Sequence, residues 1–276
     1  MKYLKSKNFL EIFGEEEFDI KQILECGQIF SFNQQENGDF EVFSADKKAV
    51  VKKKIGELGY IIESDYTTYF EQFFDLKTDY ANIKKKLAKH EIMKLPLKKG
   101  GGIRILKQNL FETLISFIVS ANNNIKRIKA ILWRIRELFG RDMGGWHAFP
   151  TRKELLKATE EDFVTLGAGY RAKYLYKVLR EVDEQILESW RVLSTEDLQK
   201  KLIELSGVGP KVADCIMLFG YGRQDVFPVD TWIAQMYNKY YGDEDNRKTI
   251  RKKLIEEFGK LSGYAQQYLF FMMIKN

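Results

Sequence analysis

The sequence is poor in residues that build covalent frameworks or metal centres. It holds two cysteines, Cys26 and Cys215, with no CxxC pair. That excludes a disulfide scaffold and a four-cysteine zinc or iron–sulfur site. Its two histidines, His90 and His147, cannot form a histidine metal site alone. No apolar run is long enough to span a bilayer, and the opening MKYLKSKNFLEIFGEEEF lacks the pattern of a signal peptide. Charge of one sign is also scarce in excess: 45 Lys plus Arg stand against 39 Asp plus Glu, a net +6. That permits nucleic-acid binding without requiring it. The 276 residues suffice for one large domain or two to three small ones. A soluble, non-secreted protein of a reducing compartment is expected.

The most informative stretch is LSGVGPKVADCIMLFGYGRQDVFPVD, residues 205–230. Upstream, Ser194 and Asp197 match a capping box, and Leu198, Leu202 and Leu205 mark one helical stripe. Gly207 and Gly209 break that helix, because glycine accepts positive φ. Pro210 suits the first turn of a new helix. Val212, Cys215, Ile216 and Phe219 give that helix a buried face. The prediction is helix, glycine hairpin, helix. The amides of Gly207, Val208 and Gly209 form a concave N–H cluster suited to a phosphate. Lys211 falls in the first turn, where the helix dipole disfavours an ammonium and favours a nucleophilic amine. Nineteen residues on, Asp230 is either an N-cap, a carboxylate aimed at the same cleft, or both.

Residues 1–98 read as a strand-rich unit. Ile29 to Phe32 alternates weakly, Asn37-Gly38 supplies a hairpin turn, and Phe40 to Phe43 returns. Val50-Val51 and Tyr60 to Ile62 suggest further strands, with helices around 66–74 and 79–89. The lysine runs 52–54 and 84–86 read as solvated faces ahead of a DNA-backbone role. Gly100-Gly101-Gly102 marks a flexible junction. Beyond it the period is helical almost throughout, with Asn122-Asn123-Asn124 as a corner and Gly167 to Arg171 as a second glycine hairpin.

The hairpin, the lysine and the Pro-Val-Asp at this spacing resemble base-excision DNA glycosylases of the helix-hairpin-helix superfamily, in their bifunctional branch. Gly102 to Gln108, Ser116 to Ile118, Asn122 to Ile125, Leu166 to Lys173 and Gly263 to Gln266 are similar to eukaryotic-type 8-oxoguanine DNA glycosylases. The motifs cover roughly 100–271; earlier, the likeness rests mainly on Gly27-Gln28-x-Phe30.

The resemblance implies an α+β protein with a TATA-binding-protein-like antiparallel sheet domain over 1–98. It implies a helical domain carrying the hairpin over 99–220. A closing helical domain over 221–276 would pack against the 99–120 region. It implies removal of 8-oxoguanine, preferably opposite cytosine, with strand cleavage by β-elimination. Lys211 would be the nucleophile and Asp230 its carboxylate partner. Gly27 would offer a carbonyl to N7–H, the mark that separates 8-oxoguanine from guanine. Gln266 would bond the lesion's Watson–Crick edge, and Phe270 would stack on the flipped base. Cys215 would close the other side, although its residue type alone favours a buried apolar role.

Asn122, Arg127, Tyr170 and Arg171 would fill the hole in the duplex and meet the orphaned cytosine. The partner would be double-stranded DNA bound by a monomer. The compartment would be the cytoplasm or nucleoid of a prokaryote, or the nucleus of a eukaryote. No metal or catalytic cofactor is implied; the family's hairpin often holds a structural monovalent cation when DNA is bound. Trp232 stands where family members often place a histidine, which puts a phosphate contact there in doubt. A glycosylase of the same fold for another damaged base and a non-catalytic helix-hairpin-helix protein are the alternatives.

Overall fold

A computed structural model describes residues 1–275. Six strands form one antiparallel sheet in the order β1-β2-β6-β5-β4-β3. They are β1 Lys2–Lys5, β2 Phe9–Phe13, β3 Phe32–Gln34, β4 Phe40–Ser44, β5 Lys47–Lys53 and β6 Gly59–Glu63. Pairing puts Leu10 opposite Ile62, Ile62 opposite Val51, and Val51 opposite Phe40. All four are buried, because side chains across a register share one face. That face packs on Phe18, Phe70, Phe73 and Phe74. The first lysine run lies on the solvent side, where Lys52 pairs with Glu63, Lys53 with Glu15, and Lys54 with Glu11. In the second run, Lys84 donates to the carbonyls of Glu16 and Gly101.

Two expectations change. The strand expected at Ile29–Phe32 starts only at Phe32. Before Ser31, whose carbonyl accepts from the Phe43 amide, residues 26–30 are held by a side chain instead of a ladder. Buried Gln28 donates to the carbonyls of Ile23 and Arg104 and accepts from the Leu106 amide. The triple glycine is not a loose junction. A Cβ on Gly102 would lie 2.4 Å from the Asp19 Cβ, and one on Gly100 2.8 Å from Ile103 Cδ1. Asp19 also donates its amide to the Gly102 carbonyl. The glycines permit close approach, so the chain enters the helical part in a fixed direction.

Apolar side chains gather in three cores. One lies under the sheet and one surrounds the helices Leu110–Ser120, Ile125–Phe139 and Pro210–Phe219. The third joins the helices Thr231–Tyr241, Arg247–Phe258 and Ser262–Ile274 to Ile83, Leu87, Met93 and Ile103. Ile83, Leu87, Met93 and Ile103 therefore share a core with the closing helices, while Lys84 and Gly102 still hold the span to the N-terminal unit.

Two buried arginines stitch the parts together. Arg136 pairs with Glu112, whose carboxylate also accepts from Ser31 Oγ and the Ala45 amide. Arg104 lies 4.0 Å over the Tyr80 ring and donates to the carbonyls of Phe74, Glu17, Asp75 and Thr78. Among the described residues no helix is long and apolar enough to cross a membrane.

Candidate active site

Ser194 caps the helix Thr195–Ile203, and Gly207 then takes φ +83°. A Cβ at Gly207 would stand 2.7 Å from the Tyr174 Cβ, so both conformation and contact call for glycine. Gly209 precedes the helix Pro210–Phe219, with Pro210 in its first turn. Lys211 therefore leaves the hairpin at the mouth of that helix, half-buried. Its ammonium lies 5.7 Å from the centre of the Phe117 ring, which stacks on Phe219 and meets Phe30 edge-on. Phe117 is a site neighbour with no motif of its own. In the sequence it falls within the Ser116 to Ile118 stretch that carries the family likeness, with no role assigned to it.

Asp230 ends the buried extended segment Phe227-Pro228-Val229 and caps the next helix, Oδ1 accepting from the Ile233 amide at 2.9 Å. Capping fixes the carboxylate. Burial pushes its pKa above the ordinary value, while the Ile233 amide, Lys211 and Arg247 pull the other way. Cys215, one turn beyond Lys211, is buried, and burial pushes its thiol up to about 11 against the opposing pull of the Lys211 ammonium. A thiol so placed is neutral near pH 7.

Of the residues expected around the lesion base, Gly27 and Phe270 meet. Gly27 has φ +77°, and a Cβ there would strike the Phe270 ring at 2.8 Å. Glycine is what lets this backbone lie against that ring. Gln28 holds the loop in position, and its role was invisible in the sequence because its partners, Arg104 and Leu106, lie more than seventy residues away. Gln266 is buried, donating to the Pro228 carbonyl at 3.4 Å and accepting from Gln267.

The four residues expected at the orphaned base cluster around two loops. Asn122 takes φ +48°, a left-handed corner that asparagine tolerates. Arg127 is exposed and donates to the Gly167 carbonyl at 2.9 Å. Tyr170 is 57% exposed. Arg171 differs in kind. It is 2% exposed and spends its donors on the carbonyls of Ala121, Asn122 and Ala168. It braces the Asn122 corner against the second glycine hairpin.

A cavity of about 420 Å³ opens beside the lysine, walled by Lys211, Asp214, Val229, Arg247, Lys248 and Arg251. Asp214, on the Lys211 helix, is buried and receives both Arg251 donors, at 2.6 and 2.9 Å. A larger cavity of about 700 Å³ lies on the sheet, between Phe9, Ile61 and Trp146. Its Lys48 is already paired with Glu41, so it offers no nucleophile. Among the described residues no group of three or more His, Cys, Asp or Glu could hold a metal ion.

A glycine hairpin delivering a lysine to a cleft faced by a capping aspartate defines a helix-hairpin-helix protein of the DNA glycosylase class. Residues 12–114 match the 8-oxoguanine DNA glycosylase N-terminal domain. Residues 115–260 match the HhH-GPD superfamily of base excision DNA repair proteins. An N-glycosylase/DNA lyase of Saccharomyces cerevisiae is 34% identical over 211 residues, 61% of this chain and 56% of that protein. A probable N-glycosylase/DNA lyase of Methanothermobacter thermautotrophicus is 32% identical over 227 residues, 72% of each chain. The chain thus spans little more than half the length of the yeast relative. The 8-oxoguanine glycosylase/lyase of Clostridium acetobutylicum, solved with double-stranded DNA containing cytosine opposite 8-oxoguanine, superposes with a TM-score of 0.93. It is 38% identical and covers 100% of this chain and 98% of that one. This chain belongs to the HhH-GPD superfamily and, within it, to the 8-oxoguanine DNA glycosylase family.

Proposed function

We propose that the protein is a bifunctional base-excision repair enzyme that removes 8-oxoguanine from duplex DNA, preferring cytosine opposite, and then cuts the strand. One observation carries this: the cavity that Lys211 lines also reaches Val229, the residue before the capping carboxylate Asp230, so a hairpin lysine and a fixed aspartate 19 residues on converge on one place. The damaged nucleotide must be flipped out, because its glycosidic bond is unreachable in the stack. Gly27 and Phe270 line one wall of the slot, with Gln266 and Cys215 completing it.

In the chemical step the neutral Lys211 amine attacks C1′. The C1′–N9 bond breaks and its electron pair leaves with the base. Asp230 stabilises the positive charge that develops on the sugar. The sugar ring then opens to give an iminium between Lys211 and C1′. This acidifies the C2′–H; loss of that proton expels the 3′ phosphate. Hydrolysis of the iminium returns the free amine.

The hairpin amides and nearby cations grip phosphates, which supply most of the affinity. Tyr170 enters the base step, while Asn122 and Arg127 face the orphaned cytosine. Arg171 supports them by holding the corner. The hairpin also suits a monovalent cation, since no donor meets the carbonyls of Ser206, Gly207 or Val208 among the described residues. That ion would be structural. The protein acts as a monomer wherever its genome resides.

Borohydride trapping on a duplex with 8-oxoguanine opposite cytosine tests the reading. A covalent adduct is expected, and Lys211→Gln should abolish it while keeping lesion binding. Tight binding by the unaltered protein with neither adduct nor base release would overturn it in favour of a binding module.

A further inference from the structure

The cavity beside Lys211 has a second wall that the proposed chemistry does not use. Arg247 and Lys248 begin the helix Arg247–Phe258 and are both exposed. The third cation of that wall, Arg251, is neutralised by buried Asp214. Arg247 and Lys248 form no ion pair among the described residues. Arg247 is nevertheless placed: its Nη2 donates to Thr231 Oγ1 at 3.2 Å, which holds the guanidinium against the first residue of the helix that Asp230 caps. Trp232, two residues after Asp230, is nearly half exposed and brings no charge to this rim. Arg247 and Lys248 therefore add two exposed cations to a cavity that Lys211 also lines, with Asp230 as the nearby carboxylate that Arg247 acts on, so an excess of positive charge faces an incoming anion.

We propose that this wall seats a DNA backbone phosphate adjoining the flipped nucleotide, with Arg247 and Lys248 as the residues that grip it. The inference rests on the function proposed above and deepens it. A phosphate is the fitting ligand because it is the anion the substrate carries closest to the sugar that Lys211 attacks. Arginine can present two parallel donors to it, and lysine adds a point charge. The grip is a positioning device. It would draw the sugar toward Lys211 while making no bond to the reacting atoms.

The test measures the salt dependence of binding to a duplex with 8-oxoguanine opposite cytosine, and single-turnover excision, for the unaltered protein, Arg247→Gln, Lys248→Gln and the double variant. Each lost phosphate contact should flatten the slope of log K against log salt by about 0.9, so the double variant should lose about 1.8. At saturating DNA the borohydride adduct should still form. Arg247→Lys should restore the slope while losing the paired geometry. An unchanged slope in a folded double variant overturns the phosphate seat and leaves the glycosylase reading intact. Failure of the unaltered protein to trap lesion DNA overturns that reading instead. Both side chains are exposed, so melting curves of the variants should match the parent, and an equal loss of melting temperature in Arg247→Gln and Arg247→Lys would mark a structural role and refute the proposal.

Discussion

Asp230 caps a helix and, in the proposed function, also stabilises the charge that develops on the sugar; replacing it by asparagine separates the two. The capping duty needs an acceptor oxygen for the Ile233 amide, 2.9 Å away. Asparagine supplies one, while alanine does not and costs about 1 kcal/mol of helix stability. In a protein of this size that difference is about 2–4 °C in Tm. The catalytic duty needs the negative charge, which asparagine lacks. Burial raises the folded-state pKa of Asp230 above the ordinary value of an aspartate carboxyl. A carboxyl raised in this way binds its proton more tightly in the folded than in the unfolded state. Its contribution is therefore fully present below the unfolded pKa and is lost as pH rises through the folded pKa. At pH 7 the ionised carboxylate is a net burden on the fold. Asp230→Asn should then melt no lower than the parent at pH 7, and its advantage should vanish as pH falls below about 4. Asp230→Ala should melt below Asp230→Asn by the cap's worth at every pH. Single-turnover excision by Asp230→Asn should fall by about 10²–10³, the usual loss when one preorganised electrostatic group is removed. Parental excision by Asp230→Asn would refute the catalytic role. A Tm as low as that of alanine at pH 7 would refute the separation of duties.

Other substitutions test the scaffold and the duplex-facing loops. Glu112→Gln leaves the buried Arg136 guanidinium without its counter-charge, so unfolding in denaturant should show a loss of about 3–5 kcal/mol; a loss under 1 kcal/mol would mean that Arg136 finds other partners. Gly207→Ala puts a methyl against Tyr174 in a positive-φ position, and a loss of about 2–4 kcal/mol with weaker DNA binding is expected. Retained stability there would show that the hairpin can relax. Arg127→Ala should loosen the preference for cytosine opposite the lesion, read from excision across the four opposite bases. An unchanged profile would remove Arg127 from that role.

The parts of this protein that could be read from the chain are those whose structure is set locally. The hairpin 205–210 announces itself through two glycines and a proline, and the Asn37-Gly38 turn through a dipeptide whose glycine takes φ +90°. Caps at Ser194, Thr151 and Thr159 likewise follow from residues three apart. The meeting of Lys211 with Asp230 came from spacing aided by family likeness, since nothing local brings them together. What stayed hidden depends on distant partners. The FLEIF of β2 alternates well, but neighbouring charges obscured it, and its strand identity comes from Ile62 and Tyr60 on β6. The triple glycine looked loose because glycine looks the same in a hinge and in a tight crossing, and only Asp19 tells them apart.

The site shows the same division more sharply. Residues that do chemistry carry type signals, a lysine here and an aspartate there. Residues that aim them do not. Gln28 fixes Gly27 through Arg104 and Leu106, and Arg171 fixes Asn122 through two carbonyls about fifty residues back. An exposed-looking arginine in a glycine loop reads as a DNA contact. Its burial and occupied donors make it a brace, because a buried guanidinium whose hydrogens are already spent on the carbonyls of Ala121, Asn122 and Ala168 can turn to a base only by giving up those bonds. Arg127, with most of its donors in solvent, carries no such penalty. The cost of unmet acceptors thus favours Arg127 over Arg171 for the base contact proposed above, a distinction that two arginines in a sequence cannot express.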